Sequence, residues 1–490
     1  MKRMVWKILA MLSFAWAFPQ TISAQDSSSL SLEAFLGQVK SRHAGIQASG
    51  HVMESANLKS DEAGLMFSPN FFTNVQHTDD ANPLTNQSMR SKKTMMDSLS
   101  LGVKENFRTG TSGTLSYNLI KYEYDGITKP ALPDNLAALA ALFNSLPSKY
   151  YVEKPMVELR QSLWRNWLGR EYKAAEEAAR TRLESSYYSE KFKTKDSLLE
   201  AENSYFRLSF AREVVRMNQD NLQRAVKLKN WTAIRVGRDL ADKTDLISAD
   251  AMVNLRTLEL RSAMDDERIA SRNFNTLRGM SSDMVRERLM PFKADMIEGI
   301  APPARADERD DVKALHASAL AASAAASSSE EKNKPTLEAF GSYAMNSLND
   351  KESKILPNAL KTDQPTWVVG LSFSTPLDFD TIRRANSGYR LEALAAEEIY
   401  QRKKFEKDQE WRNLLAKLGE AKKRLHLAEE IEKVQKSKLE NERIRNQRGR
   451  STLYQVISAE QDYASAQQSK LMRINEVLQV AAQMKTYAGP

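Results

Sequence analysis

No cysteine occurs in the 490 residues. That excludes a disulfide framework, thiolate metal sites, a cysteine nucleophile and a lipidated N-terminal cysteine. Glycine (18) and proline (15) together supply 33 residues, roughly half the usual share of about 12%. A chain of this length ordinarily holds about three domains. Three compact domains need more turns than these residues supply, so long uninterrupted helices are expected. Histidine is scarce too: His43, His51, His77, His316 and His426 offer no pair at ligand spacing, which argues against a histidine metal site. Glycine-rich phosphate loops and serine elbows are missing, and acidic pairs such as Asp265-Asp266 and Asp310-Asp311 lie among basic residues. The expectation is therefore no catalytic residue, no metal and no cofactor. Long hydrophobic runs are lacking as well. Mean hydropathy is −0.54, which excludes a bundle of membrane helices.

What is present begins with an address. Lys2, Arg3 and Lys7 form a basic start, Ile8 to Phe18 an apolar core, and Ile22-Ser23-Ala24 a small-residue site before Gln25. This is the layout of a secretory signal peptide over residues 1–24; the apolar core is too short for a membrane anchor. Without its three basic groups the net charge falls from +8 to +5. That charge is mild and spread along the chain, so nucleic acid is not an expected partner. The mature chain is then either soluble outside the cytoplasm or crosses a membrane as β-strands.

Internal repetition decides the organisation. Leu246-Ile247-Ser248-Ala249-Asp250 recurs as Val456-Ile457-Ser458-Ala459-Glu460, 210 positions on, and Leu277-Arg278-Gly279 matches Tyr487-Ala488-Gly489 at the same offset. Arg235-Val236-Gly237-Arg238 pairs with Gln447-Arg448-Gly449-Arg450 at an offset of 212. Earlier, Pro69-Asn70-Phe71-Phe72 matches Pro335-Thr336-Leu337 at 266. The offsets of 266 and 210 differ by 56 residues, so the first half carries 56 more between its proline and its long helix.

Each half reads helix, strands, very long helix, turn, helix. The expected segments are a first-repeat helix (25–68), strands with loops (69–163) and a long helical hairpin with its tip near 237 (164–280). A linker follows (281–306), then the second-repeat helix (307–334), strands (335–378) and a hairpin with its tip near 449 (379–490). About 70 helical residues would extend about 105 Å. Leu198, Ala201, Tyr205, Leu208 and Ala211, and later Leu414, Leu418, Ala421 and Leu425, follow one another at spacings of three and four, which is a coiled-coil seam. Alanine-rich faces, such as Ala174, Ala175, Ala178 and Ala179, let helices approach on two sides, as a closed ring of helices requires.

The strand segments alternate. Trp367, Val369, Leu371 and Phe373 share one face, as do Leu99, Leu101 and Val103, then Leu115, Tyr117 and Leu119, then Val157, Leu159 and Leu163. Such strands suit either a transmembrane barrel or a soluble antiparallel sheet with one wet face; the signal peptide and the ring of helices favour the barrel. Trp164 and Trp167 stand where strand gives way to helix, where a membrane-interface belt would place indoles; core tryptophans are the alternative. Residues 79–95 and 125–150 read as loops, the second with a short apolar helix, Leu136 to Phe143, between Pro133 and Pro147.

Together these segments resemble the TolC-like outer-membrane efflux protein family. The carrying residues are the tip Arg235-Val236-Gly237 through Asp245-Leu246-Ile247-Ser248-Ala249, and its repeat Arg448-Gly449-Arg450-Ser451-Thr452 through Val456-Ile457-Ser458-Ala459. Arg309-Asp310-Asp311-Val312 resembles the family's arginine-proline-aspartate-valine, with Asp310 for proline. Gly370-Leu371-Ser372-Phe373 through Pro376-Leu377 resembles the strand leading into the second long helix. The resemblance implies a mainly α protein with β, in two structural repeats. Long coiled-coil helices would form a periplasmic α-barrel tunnel, and strands would contribute to a trimeric transmembrane β-barrel. It implies a homotrimer in the outer membrane of a Gram-negative bacterium, in contact with outer-membrane lipid and with a large periplasmic portion. It further implies docking to a periplasmic adaptor (membrane fusion) protein and an inner-membrane RND or ABC transporter, and passive conduction of the pumped solute, in efflux or type I secretion.

The family usually has two strands per half; the 56 extra residues and the turn Gly110-Thr111-Ser112-Gly113 predict two more in the first, either in the barrel wall or outside it. Where members carry second-half tip aspartates, Gln455 and Ser458 stand here. Arg235, Gly237, Asp245, Gly449, Arg450, Gln455 and Ser458 are the tip and gate candidates, with Asp245 and Arg450 expected to share contacts that hold the entrance closed. The competing readings are a structural coiled-coil surface or filament protein, for which the strands have no use, and a periplasmic adaptor, which needs one hairpin rather than two.

Overall fold

The computed structural model describes residues 29–82, 92–125, 141, 148–290, 297, 299–351 and 364–488. The expected signal peptide lies outside the described residues, as does all of the expected short apolar helix Leu136 to Phe143 except residue 141. Along the chain run β1 (Ser29–Leu30), α1 (Leu32–Arg42), α2 (Ala44–Leu58), a 3-10 turn (Glu62–Phe67), β2 (Asn70–Asp80) and β3 (Lys93–Asn106). Next come β4 (Thr111–Asp125), β5 (Lys149–Ser162), α3 (Arg170–Val236), α4 (Lys243–Leu277), β6 (Arg288–Leu289) and α5 (Asp310–Lys332). The last are β7 (Thr336–Met345), β8 (Ser347–Asn349), β9 (Pro365–Ser374), α6 (Phe379–Gln447) and α7 (Leu453–Lys485). The described residues are thus mainly helical.

The scarcity of breakers has a direct result: α3 runs 67 residues and α6 runs 69. Neither contains proline, and Gly388 and Gly419 inside α6 have open space where a Cβ would stand. The helical part of the first-repeat segment 25–68 breaks at the extended residue His43, and its end tightens into the 3-10 turn. Helix α1 is capped by Ser31, whose hydroxyl accepts from the Ala34 N–H at 3.2 Å; this satisfies one orphan donor of the first turn. Helix α4 ends at Gly279 (φ +72°), with the Met280 N–H bonded to Asn275 O at 2.8 Å, the left-handed stop that glycine makes cheaply.

The chain divides into two units. The first holds residues 1–44, 198–302 and 417–483. Its core stacks Phe35 on Phe274 at 4.0 Å, with Tyr205 beside them. The Tyr205 hydroxyl donates to Leu30 O at 2.8 Å and accepts from the Met290 N–H at 2.9 Å, and so ties together the strands β1 and β6, which pair in parallel. Ala201, Leu208 and Ala211 of α3 and Leu418, Ala421 and Leu425 of α6 are buried, on the faces that the spacings of three and four marked.

The second unit holds residues 45–197, 303–416 and 484–490. Val312, Ala319 and Tyr400 pack together, with Leu315 and Ala396 against them. The unit also carries one antiparallel sheet in the order β2-β3-β4-β5-β7-β9, with the short β8 beside β5. Four of its six long strands come from the first half of the chain and two from the second. Among the described residues the outer edges of β2 and β9 have no strand partner. The first hairpin is longer than expected. Asp79 and Asp80 extend β2 and Lys93–Met95 begin β3, because the Lys93–Asp79 ion pair (2.6 Å) and the register continue past the apolar segment.

Candidate functional site

Residue parity decides which face of the sheet a side chain occupies. Every pairing joins an even residue to an even one or an odd to an odd. Successive side chains point to opposite faces, so all odd residues share one face. One row across it reads Phe71, Val103, Leu115, Val157, Tyr343, Trp367. Trp367 is 73% exposed and Val369 75%. The even row beside it reads Phe72, Gly102, Ser116, Met156, Ala344, Thr366, and the next begins Asn74, Ser100, Asn118, Lys154. Towards the loops the odd face becomes charged: Asp97 pairs with His77 at 2.6 Å and with Lys121 at 3.1 Å. A broad apolar band ending in a charged row is what a lipid-facing strand surface requires.

At the other end of the sheet the chain passes from β5 into α3 through a tight turn. Asn166, Leu168 and Gly169 all have positive φ, and the Asn166 side chain accepts from the Tyr172 N–H at 3.2 Å. Trp164 and Trp167 flank this turn and are both exposed, beside Leu163, whose N–H bonds to Leu337 O at 2.7 Å.

The two helical tips differ in chemistry although they share a plan. In the second, Gly449 takes the left-handed conformation (φ +72°) and the Arg450 N–H returns to Arg445 O at 2.8 Å. Gln455 closes a reciprocal cap on α7: the Thr452 N–H donates to its Oε1 at 3.1 Å and the Gln455 N–H to Thr452 Oγ1 at 3.4 Å. Its polar group is thereby committed to the helix start. Ser458 is half-buried one turn on. In the first tip Asp239, not Gly237, takes the positive φ (+58°), and Arg235 Nη2 donates to Leu240 O at 2.9 Å. Asp245 stands at the position of α4 that Gln455 holds in α7, half-buried in the first turn. There its charge favours the helix dipole. Among the described residues no hydrogen bond or ion pair joins Asp245 to Arg450 within one copy. Arg450 follows the glycine turn and is exposed, and the weak polar link between the tips is Arg235 Nη1 to Asn446 Oδ1 at 3.5 Å.

Two buried ion clusters were not anticipated. In the first unit Glu460, 1% exposed, accepts from Arg224 Nε at 3.1 Å and from Arg443. One carboxylate thus ties α7 to both α3 and α6. The Arg224 guanidinium also lies 5.1 Å above the Tyr463 ring. The repeat mate of Glu460 is Asp250, which is exposed and pairs only with Lys229 at 2.6 Å. Position in the repeat singled out both acids; nothing local distinguished the buried one.

In the second unit Arg309, 7% exposed, makes two 2.7 Å bonds to Asp311 and one of 3.1 Å to Glu410. Its guanidinium lies 4.5 Å over Tyr487, whose hydroxyl donates to Glu410 at 2.6 Å. Asp310 is the first residue of α5 and pairs with Lys195 at 2.7 Å. Burial works to raise the Asp311 carboxyl, but the bonds and charge of Arg309 outweigh it and hold the group below the usual carboxylate range. Against the same burial, Tyr487 and Arg309 hold Glu410 low. A carboxyl depressed by folding contributes stability that is complete above its unfolded pKa, about 4. That contribution is lost as pH falls through the folded value. The thermal midpoint is therefore expected to hold to about pH 5 and to fall below about pH 4. Asp311→Asn should flatten the acid limb in melts followed by circular dichroism; an unchanged limb would count against the cluster.

Among the described residues no group of three or more His, Asp or Glu side chains could hold a metal ion, and no helix is long and apolar enough to cross a membrane. The model of the outer membrane efflux protein family matches residues 303–490. No curated protein matches the chain in sequence. Solved structures similar to it include the MtrE outer membrane channel of Neisseria gonorrhoeae in its open state (TM-score 0.63, 14% identity, 98% of this chain and 96% of that one). They also include the outer membrane protein VceC of Vibrio cholerae (0.63, 13%, 94% and 96%) and CusC (0.66, 10%, 98% and 98%). At these identities the likeness is one of fold.

Proposed function

We propose that the whole chain is the outer-membrane duct of a tripartite export system, because residues 303–490 match the model of the outer membrane efflux protein family, a family of passive channels of the outer membrane and not of enzymes. Solute delivered by an inner-membrane pump, of RND or ABC class, and a periplasmic adaptor passes through it to the exterior. Three copies make one duct, each giving strands to a shared barrel and helices to a shared tunnel.

The observation that carries this reading is the sheet, with an apolar exposed odd face, a polar even face and two open edges. Each strand runs opposite to the one before it, and among the described residues the long strands are six. The edges β2 and β9 therefore run in opposite directions, so that β9 of one copy continues the antiparallel pattern against β2 of the next. Closure also removes two edges that would otherwise invite aggregation. The helices support assembly as well. Ile247, Leu258 and Ile269 form one exposed stripe on α4 at 11-residue spacing, and Leu427, Ile431 and Val434 another on α6, surfaces that packing between copies would cover. The tips, with Arg235, Gly237, Asp245, Gly449, Arg450, Gln455 and Ser458, form the periplasmic entrance, and Trp164 and Trp167 the interface belt.

Expression with its leader in a Gram-negative host tests this. The protein should remain in the detergent-extracted outer membrane, run as a heat-labile trimer and conduct ions in planar bilayers. A protein that washes off with salt as a monomer or a filament, and conducts nothing, would refute the proposal.

A further inference from the structure

The first half has two more long strands than the second, and a pair of aromatic contacts identifies them. Phe72 of β2 lies over Gly102 of β3, where a Cβ would stand 2.5 Å from the ring. Phe340 of β7 lies over Gly370 of β9 with the same 2.5 Å separation. Both members of the second pair lie 268 positions after those of the first. The hairpin β2–β3 therefore corresponds to β7–β9, and β4–β5 is the insertion. Its two ends meet. Thr111 is registered with Gln161, and the Ser162 N–H donates to Gly110 O at 3.1 Å. A Cβ on Gly169 would stand 1.9 Å from Arg108 O, so the turn before β4 touches the head of α3. The chain descends β3 to the head of α3, makes one extra excursion, and returns there before the helix begins.

The excursion lies within the sheet. β3 is registered with β4 over its whole length, from Lys93↔Asp125 to Asn106↔Ser112. β5 is registered with β7 from Met156↔Ala344 to Ser162↔Glu338. β4 and β5 thus separate β3 from β7 and carry both faces across without a break: Leu115 and Val157 extend the apolar odd row, and Ser116 the polar even one.

We infer that the inserted hairpin is barrel wall, so that each copy lays six strands where the uninserted repeat plan would lay four. The inference rests on the trimeric-duct reading, under which six strands from each of three copies make an 18-stranded barrel instead of a 12-stranded one. Adding strands in pairs preserves both the antiparallel alternation and the end of the sheet at which the helix starts. Barrel diameter grows roughly linearly with strand number, so the bore is about 1.5 times wider. At the level of the wall, bulkier hydrated solutes or polypeptides clear it than would clear a four-strand wall.

The absence of cysteine makes the test clean. Single-cysteine variants Val157→Cys and Glu158→Cys probe the hairpin, and Val369→Cys and Ser372→Cys probe β9, all in reconstituted trimers. A bimane on Val157→Cys should be quenched by nitroxide lipid, and a charged methanethiosulfonate should lower conductance through Glu158→Cys, each matching its β9 counterpart. If the β9 pair behaves so and Glu158→Cys leaves conductance unchanged, the hairpin is outside the wall and the inference fails. If the β9 pair itself shows no such contrast, the duct reading fails first. Projection images of the trimer give a second readout. A ring about 1.5 times the diameter of a 12-stranded one is expected, and a 12-stranded ring with density outside it would overturn the inference.

Discussion

Glu460→Ala is expected to be the most damaging single charge deletion in the first unit. The Glu460 carboxylate is only 2% exposed, and the two arginines it neutralises are 19% and 34% exposed. Breaking a buried pair by removing one partner typically costs ~3–5 kcal/mol. Arg443 can turn partly into water, so the low end, about 3 kcal/mol, is expected. Asp250→Ala, at the matching place in the first repeat, removes a carboxylate that is 52% exposed and should cost below about 1 kcal/mol. Thermal melts in detergent measure the contrast; equal shifts for the two variants would show that Glu460 holds nothing together. In the duct reading a second effect follows. Since the one carboxylate shared by α3, α6 and α7 is lost, closure by the helices weakens, and single-channel conductance should rise in the alanine variant while Glu460→Gln, which keeps the shape, lies between it and the parent.

The second large effect concerns the faces of β9. Val369 and Ser372 stand three positions apart on one strand, and parity puts them on opposite faces. In a lipid-facing barrel an arginine near the midplane of the band costs ~2–4 kcal/mol per copy, whereas a water-facing position tolerates it. In the proposed assembly of three copies the cost is tripled, so Val369→Arg should abolish the heat-labile trimer in the outer membrane fraction, and Ser372→Arg should leave it largely intact. Equal yields of the two variants would mean that the odd face does not meet lipid.

The helices were legible because their cause is local. A run without proline or structural glycine has no place to stop, so α3 and α6 follow from composition, and the spacing of Ala201, Tyr205 and Leu208 names the side that packs. The strand faces were legible for the same reason: the period of two needs no partner to be seen. Pairing was not. That Lys93 meets Asp79, that Phe340 covers a glycine 30 positions on, and that Glu460 collects arginines 17 and 236 positions away depends on register and helix phase, which no local pattern encodes. The tips show the same limit. The repeat drew attention to Asp245, Arg450, Gly237 and Gln455 together, yet Gln455 caps a helix and Asp239, not Gly237, takes the positive φ at the first tip.

The extra 56 residues mark the same boundary. Counting them required only the repeat, and the alternation of Leu115, Tyr117 and Leu119 required only the sequence, because both are properties of neighbouring positions. Whether that added hairpin entered the sheet or hung beside it was a matter of hydrogen bonds between β3 and β4 and between β5 and β7, formed by backbone groups identical at every residue and therefore silent in the sequence. Only the tertiary structure, by bringing those strands into register, decided that β4 and β5 stand between β3 and β7.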